Sequence, residues 1–134
     1  MSPAGVATGP QLTYARPMFE PRFIEHCGQR ILRLDFTGLS LPELVAAFVE
    51  ARRVTWAEPS GSVRILTTLS SPLTAESAEA LKQYGLSNRG RVLASAVVGE
   101  GFWKVIVTFL QAHGREDLVL FDDEASALDW LASA

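Results

Sequence analysis

From residue 63 onward the chain alternates between short apolar runs and amphipathic stretches, and this constrains the fold more than any other feature. Residues 63–69 (VRILTTL) read as a strand, followed by a helix carrying Ala78, Leu81 and Tyr84. Residues 92–98 (VLASAVV) form the next strand, and 102–113 the next helix. A short strand over 118–121 and a helix with Ala125, Leu128 and Leu131 turned inward complete the series. Strands separated by helices at this spacing pair in parallel through right-handed crossovers. The 92–98 run has no charge on either face, which predicts a strand buried on both sides.

The segment before this series adds an antiparallel edge. Residues 23–27 and 31–36 are β-type runs joined by Gly28-Gln29-Arg30, and a Gly opening so short a connection suits a hairpin. Leu32, Leu34 and Phe36 share one face of the second run, and Ile31, Arg33 and Asp35 share a wetter one. Ser40 with Glu43 three residues on is a capping-box pattern, and Pro42 is tolerated in a first turn. Leu41, Leu44, Val45, Phe48 and Ala51 then recur at helical spacing, and residues 58–61 (EPSG) end that helix. Further boundaries are a cap at or near Thr74, a stop at 88–90 (NRG), Gly114 at a C′ position, and Asp122 or Asp123 capping the last helix. The expected fold is a single α/β domain over residues 22–134, with a mixed, mostly parallel five-stranded sheet and about four helices. Residues 1–21, rich in Pro, Gly and Ala, read as a loose tail in which Met18 and Phe19 are able to dock on the domain.

Composition narrows the function classes. At 134 residues and 48% hydrophobic content, the chain has the size and apolar share of one folded domain. A net charge of −3 argues against a general binder of nucleic-acid backbone, which needs a basic stripe. Cys27, the single cysteine, rules out an internal disulfide and suits a reducing cytoplasm. No apolar run has the length of a membrane span, and the opening residues lack the basic and apolar regions of a secretory signal.

Few residues group into chemistry. Gly99-Glu100-Gly101 sits between strand and helix, but Lys104 stands where a dinucleotide fingerprint needs its third glycine, so a tight turn is the simpler reading. His26 and Cys27, adjacent on a strand, point to opposite faces and form no pair; His113 is remote, no zinc spacing is present, and Cys27 reads as a small hydrophobe. Asp122, Asp123 and Glu124 read as helix-start residues rather than metal ligands, and Arg52 and Arg53 suit a helix end. No cofactor, metal or catalytic constellation is expected. In the helix over 102–113, Lys104, Thr108 and Gln111 form one narrow stripe. The apolar residues spread over roughly 220° of the rest, at about 100° per residue. One sheet needs less than that, so a second burial surface is expected. Its residues are Phe102, Trp103, Val107 and Leu110, as a homodimer contact, unless neighbouring helices of the same chain cover them.

The sequence from Ser95-Ala96-Val97-Val98-Gly99 through Lys104-Val105, Gly114-Arg115, Leu120-Phe121-Asp122-Asp123-Glu124, Ala127-Leu128 and Trp130-Leu131 resembles the small bacterial SpoIIAA-like proteins of the STAS superfamily. Leu34-Asp35-Phe36 and Leu66-Thr67-Thr68 fit the same pattern, and the resemblance covers about residues 23–132. It implies a βαβ-rich sheet with helices packed beside it and no enzyme activity; the expected function is a non-catalytic, cytoplasmic STAS-like interaction module, with a second copy as partner from the apolar arc above, or another regulatory protein. In the anti-sigma-factor antagonists a serine between the third strand and the second helix is phosphorylated, within an acidic residue, x, Ser, Gly motif. Here that loop reads Leu69-Ser70-Ser71-Pro72, without the acidic residue or the glycine. The resemblance makes Ser70 or Ser71 the phosphoacceptor; the plainer reading is a solvated turn. The alternative function is a carrier of a small apolar ligand or lipid, which requires an enclosed cavity of a few hundred Å³ near the 102–113 helix.

Overall fold

The computed structural model describes residues 19–70, 74–99 and 101–134. Strand β1 (Arg22–His26) turns back into β2 (Gln29–Asp35), and helix α1 (Leu41–Trp56) follows. Then come β3 (Arg64–Leu69), α2 (Ala75–Ser87), β4 (Ala94–Gly99), α3 (Trp103–Ala112), β5 (Leu118–Phe121) and α4 (Glu124–Ser133). The five strands lie side by side in chain order, with β1 antiparallel to β2 and every later pair parallel. This is the expected mixed sheet with its antiparallel edge.

Strand order fixes the layers. Each of the three crossovers steps one strand in the same direction, so right-handedness puts α1, α2 and α3 on one face. Leu32, Leu34, Phe36, Ile65 and Val97 meet Leu44, Phe48, Ala51, Leu81, Tyr84, Val107 and Leu110 there in the larger core. On the other face Ala127 and Leu131 of α4 cover Ile31, Leu66, Ala94 and Ala96. Ile31 therefore lies in a dry layer, while Asp35 on the same strand face is exposed. Phe19 stacks on Phe36 with ring centroids 4.9 Å apart, so contact with the domain begins before β1.

Local signals act where the sequence places them. Ser40 and Glu43 close a capping box on α1, Thr74 and Ser77 close one on α2, and Asp123 caps α4. Gly114 follows the cap of α3 at φ +106°. The hairpin differs: its connection is two residues, Cys27 and Gly28, at φ +50° and +78°. Two positive φ values make a type I′ turn, whose twist matches the strands it joins. Cys27 is thus in the turn and exposed, which corrects its placement on the strand and its reading as a small hydrophobe. On α1, Leu44, Phe48 and Ala51 are buried while Leu41 and Val45 are exposed. Among the described residues no helix is long and apolar enough to cross a membrane.

Candidate functional site

The carboxyl edge of the parallel strands gathers the residues singled out in the sequence. Leu69 ends β3 opposite Gly99 of β4. A Cβ on Gly99 would stand 3.3 Å from the Leu69 carbonyl oxygen and 3.6 Å from Trp103 Cβ, so two strand ends and the start of α3 converge here. Ser70 follows β3 directly and is exposed, and Thr74 caps α2 beyond it. Ser71 lies outside the described residues. Gly101 turns the chain into α3 at φ +64°, the left-handed region where a side chain is strained.

The expected contact on α3 is corrected. Trp103, Val107 and Leu110 are core residues, 3%, 2% and 2% exposed. The apolar arc is wide because α3 packs on the sheet and on α2 together. A Cβ on Gly85 of α2 would lie 2.6 Å from Leu110 Cδ1, and the Lys82 ammonium sits 4.7 Å from the centre of the Phe109 ring. Burial within one chain, the alternative weighed above, accounts for those three. What remains open is Phe102, 74% exposed, and Val105, 62% exposed, three residues apart on the first turn of α3.

Between the sheet and helices α2 and α3 lies a cavity of about 30 Å³, lined by Leu81, Tyr84, Val107 and Leu110 with Ile65 and Val97 below. That is room for about one water, not for a lipid. A surface cleft of about 280 Å³ beside β1 and β2 is lined by Phe19 and Leu39 together with Glu20, Arg22, Arg33, Asp35 and Thr37, so it is open to solvent and carries four charged side chains. Neither of these two spaces has the size and lining together that a carrier requires.

The remaining candidates resolve into structure. The Asp123 carboxylate accepts hydrogen bonds from the Ser126 backbone N–H at 2.8 Å and hydroxyl at 3.1 Å, which hold its pKa below the usual carboxylate range. Glu124 pairs with Arg33 at 2.9 Å, and Arg53 pairs with Glu50. His26 does find a partner: its Nε2 lies 2.8 Å from Asp129 Oδ1 on α4. The Cys27 thiol joins them, with all three ligand-capable atoms within 4.8 Å of one another. Sequence spacing concealed this group, since Asp129 comes 103 residues after His26.

The sheet order, the antiparallel edge strand and the three-over-one helix arrangement define a SpoIIAA-like fold. The crystal structure of an uncharacterised protein of the DUF3478 family from Shewanella loihica PV-4, itself described as SpoIIAA-like, matches with a TM-score of 0.66. It is 14% identical, and the match covers 90% of this chain and 99% of that one. No family model and no curated protein matches the sequence.

Proposed function

We propose that the chain is a non-catalytic, partner-binding module that associates with a second copy of itself through the carboxyl edge of its sheet. Phe102 and Val105 stand at the centre of the contact and Ser70 at its margin. The observation that carries this reading is the pair of exposed apolar side chains on the first turn of α3, of which Phe102 is 74% exposed. Aromatic residues such as Phe are enriched in interfaces, and a two-fold dimer is the commonest closed assembly. The likeness to the antagonist proteins adds a control. Ser70, exposed just after β3, is with Ser71 one of the two serines that the resemblance makes the phosphoacceptor. A phosphate there brings a charge of about −1.5 to −2 toward an apolar contact, which disfavours it.

Sedimentation velocity at micromolar concentration tests the reading. Wild type is expected to run as a dimer, and Phe102→Asp and Val105→Asp as monomers with unchanged melting temperatures. Ser70→Asp shifts the equilibrium toward monomer and Ser70→Ala does not. A wild-type monomer overturns self-association and moves the argument to a different regulatory protein as partner.

A further inference from the structure

We propose that His26, Cys27 and Asp129 form a binding site for a divalent ion of the zinc class, with one coordination position open. Three different donors meet at the end of the sheet opposite Ser70 and Phe102. The imidazole comes from the last residue of β1, the thiol from the hairpin turn and the carboxylate from α4. Their ligand atoms lie within 4.8 Å of one another, and His26 Nε2 and Asp129 Oδ1 are 2.8 Å apart.

The dimensions suit a small tetrahedral ion. Zinc bonds of about 2.3 Å to sulfur and about 2.0–2.2 Å to nitrogen or oxygen put neighbouring ligands roughly 3.3–3.6 Å apart. An ion enters if the His–Asp contact opens by about half an ångström and the sulfur closes in. The side chains have that freedom: Cys27 is exposed and the Asp129 side chain is 74% exposed.

Two of the three backbones are anchored in regular structure. His26 is paired with Gln29 across the hairpin. Asp129 stands between Ala127 and Leu131, both fully buried against the sheet. Donors on strand and helix hold their geometry better than donors on loops, so His26 and Asp129 are the fixed pair and Cys27, in the turn, is the donor that adjusts.

The choice of Cys27 also needs a reason. Its φ of +50° is the only positive value among the described non-glycine residues, in a turn that favours Asn, Asp or Gly. Cysteine gains nothing there from burial, because it is exposed. A thiolate with an imidazole and a carboxylate is a donor set for Zn²⁺ or Co²⁺ and not for Mg²⁺ or Ca²⁺, which take oxygen. Three protein ligands leave the fourth position for water or an incoming donor.

Cobalt(II) is the probe. The reduced, chelator-stripped full chain is titrated with Co²⁺, and then with Zn²⁺ as competitor. One Co²⁺ per chain, a near-ultraviolet thiolate-to-cobalt band and its loss on adding Zn²⁺ are expected. Cys27→Asn, which suits the turn, abolishes the band. His26→Gln and Asp129→Asn each weaken Co²⁺ binding by about tenfold or more. The metal-free melting temperatures of all three variants stay within a few degrees of wild type. Absence of a saturable band up to millimolar Co²⁺ overturns the site. So does wild-type affinity in both the His26 and Asp129 variants, which leaves only a lone thiol.

Discussion

Arg115 is buried, 3% exposed, in the loop that leads into β5. Its guanidinium donates to both Asp117 carboxylate oxygens at 3.0 and 2.8 Å, to the Gly85 carbonyl at 2.8 Å and to the Ser95 hydroxyl at 2.9 Å. One side chain thus ties α2, β4 and the β5 loop. Only a planar fork reaches all these acceptors, so Arg115→Lys is expected to cost about 3 kcal/mol in urea unfolding. A loss under about 1 kcal/mol would show the network to be dispensable. Nearby, burial raises the Tyr84 hydroxyl to about 12, against the opposing pull of Arg115 and a hydrogen bond from Asn88. A phenol whose folded pKa exceeds its unfolded value near 10 keeps its full contribution below pH 10. Stability then falls as pH rises toward 12, by on the order of 2 kcal/mol. Tyr84→Phe should flatten that alkaline limb, read by melting temperature between pH 9 and about 12. Tyr84 was legible on the apolar stripe of its helix with Ala78 and Leu81, but Arg115 was not legible as buried. Arg115 follows a glycine in a charged loop, and the acceptors that keep it inside come from residues 85 and 95. His26, Cys27 and Asp129 were missed for the same reason: proximity there is made by the fold, not by spacing.

Helix termini were far more legible, because a cap is a local interaction between residues three apart. Ser40→Ala removes the acceptor for the Glu43 N–H and should cost about 1 kcal/mol. Asp123→Ala carries a pH signature. With its folded pKa depressed by Ser126, the carboxylate contributes stability above the ordinary carboxylate range. That contribution is lost as pH falls through the depressed value. The melting-temperature gap between wild type and Asp123→Ala should therefore be open at pH 7 and close in acid. A gap unchanged by acid would assign the effect to something other than the charge. Helix α3 shows where a single helix stops being informative. Its apolar arc predicted a second covering surface, and one exists, but periodicity does not say that α2 of the same chain supplies it. The close approach of Gly85 to Leu110, absent from any pattern within α3, decides the matter.

At the scale of the molecule, the alternation from residue 63 carried the sheet topology. Sequential crossovers of one hand leave a single arrangement of the strands and of helices α1 to α3. The crossover rule does not place α4, which no strand follows; its position on the opposite face follows from the need to cover the apolar residues there, which no other described helix covers. Placing Trp103 in the core also changes what its substitution does. Trp103→Asp puts an unpaired charge into the larger cluster and should unfold the chain rather than dissociate a dimer. Near-ultraviolet circular dichroism distinguishes the two: the tertiary signal is lost on unfolding and kept on dissociation.

That α4 is the only described helix on its face of the sheet has a consequence for biosynthesis. A nascent chain that has emerged through Phe121 has all five strands and the three helices of the opposite face. It still presents Ile31, Leu66, Ala94 and Ala96 to water. At about 5–20 residues per second, the ten residues of α4 follow on the order of a second later. During that interval the intermediate is an adhesive half-covered sheet, the kind of species a ribosome-associated chaperone shields. A chain cut after Phe121 makes the interval permanent. It should bind a hydrophobic dye and aggregate, and supplying residues 122–134 as a separate peptide should suppress both.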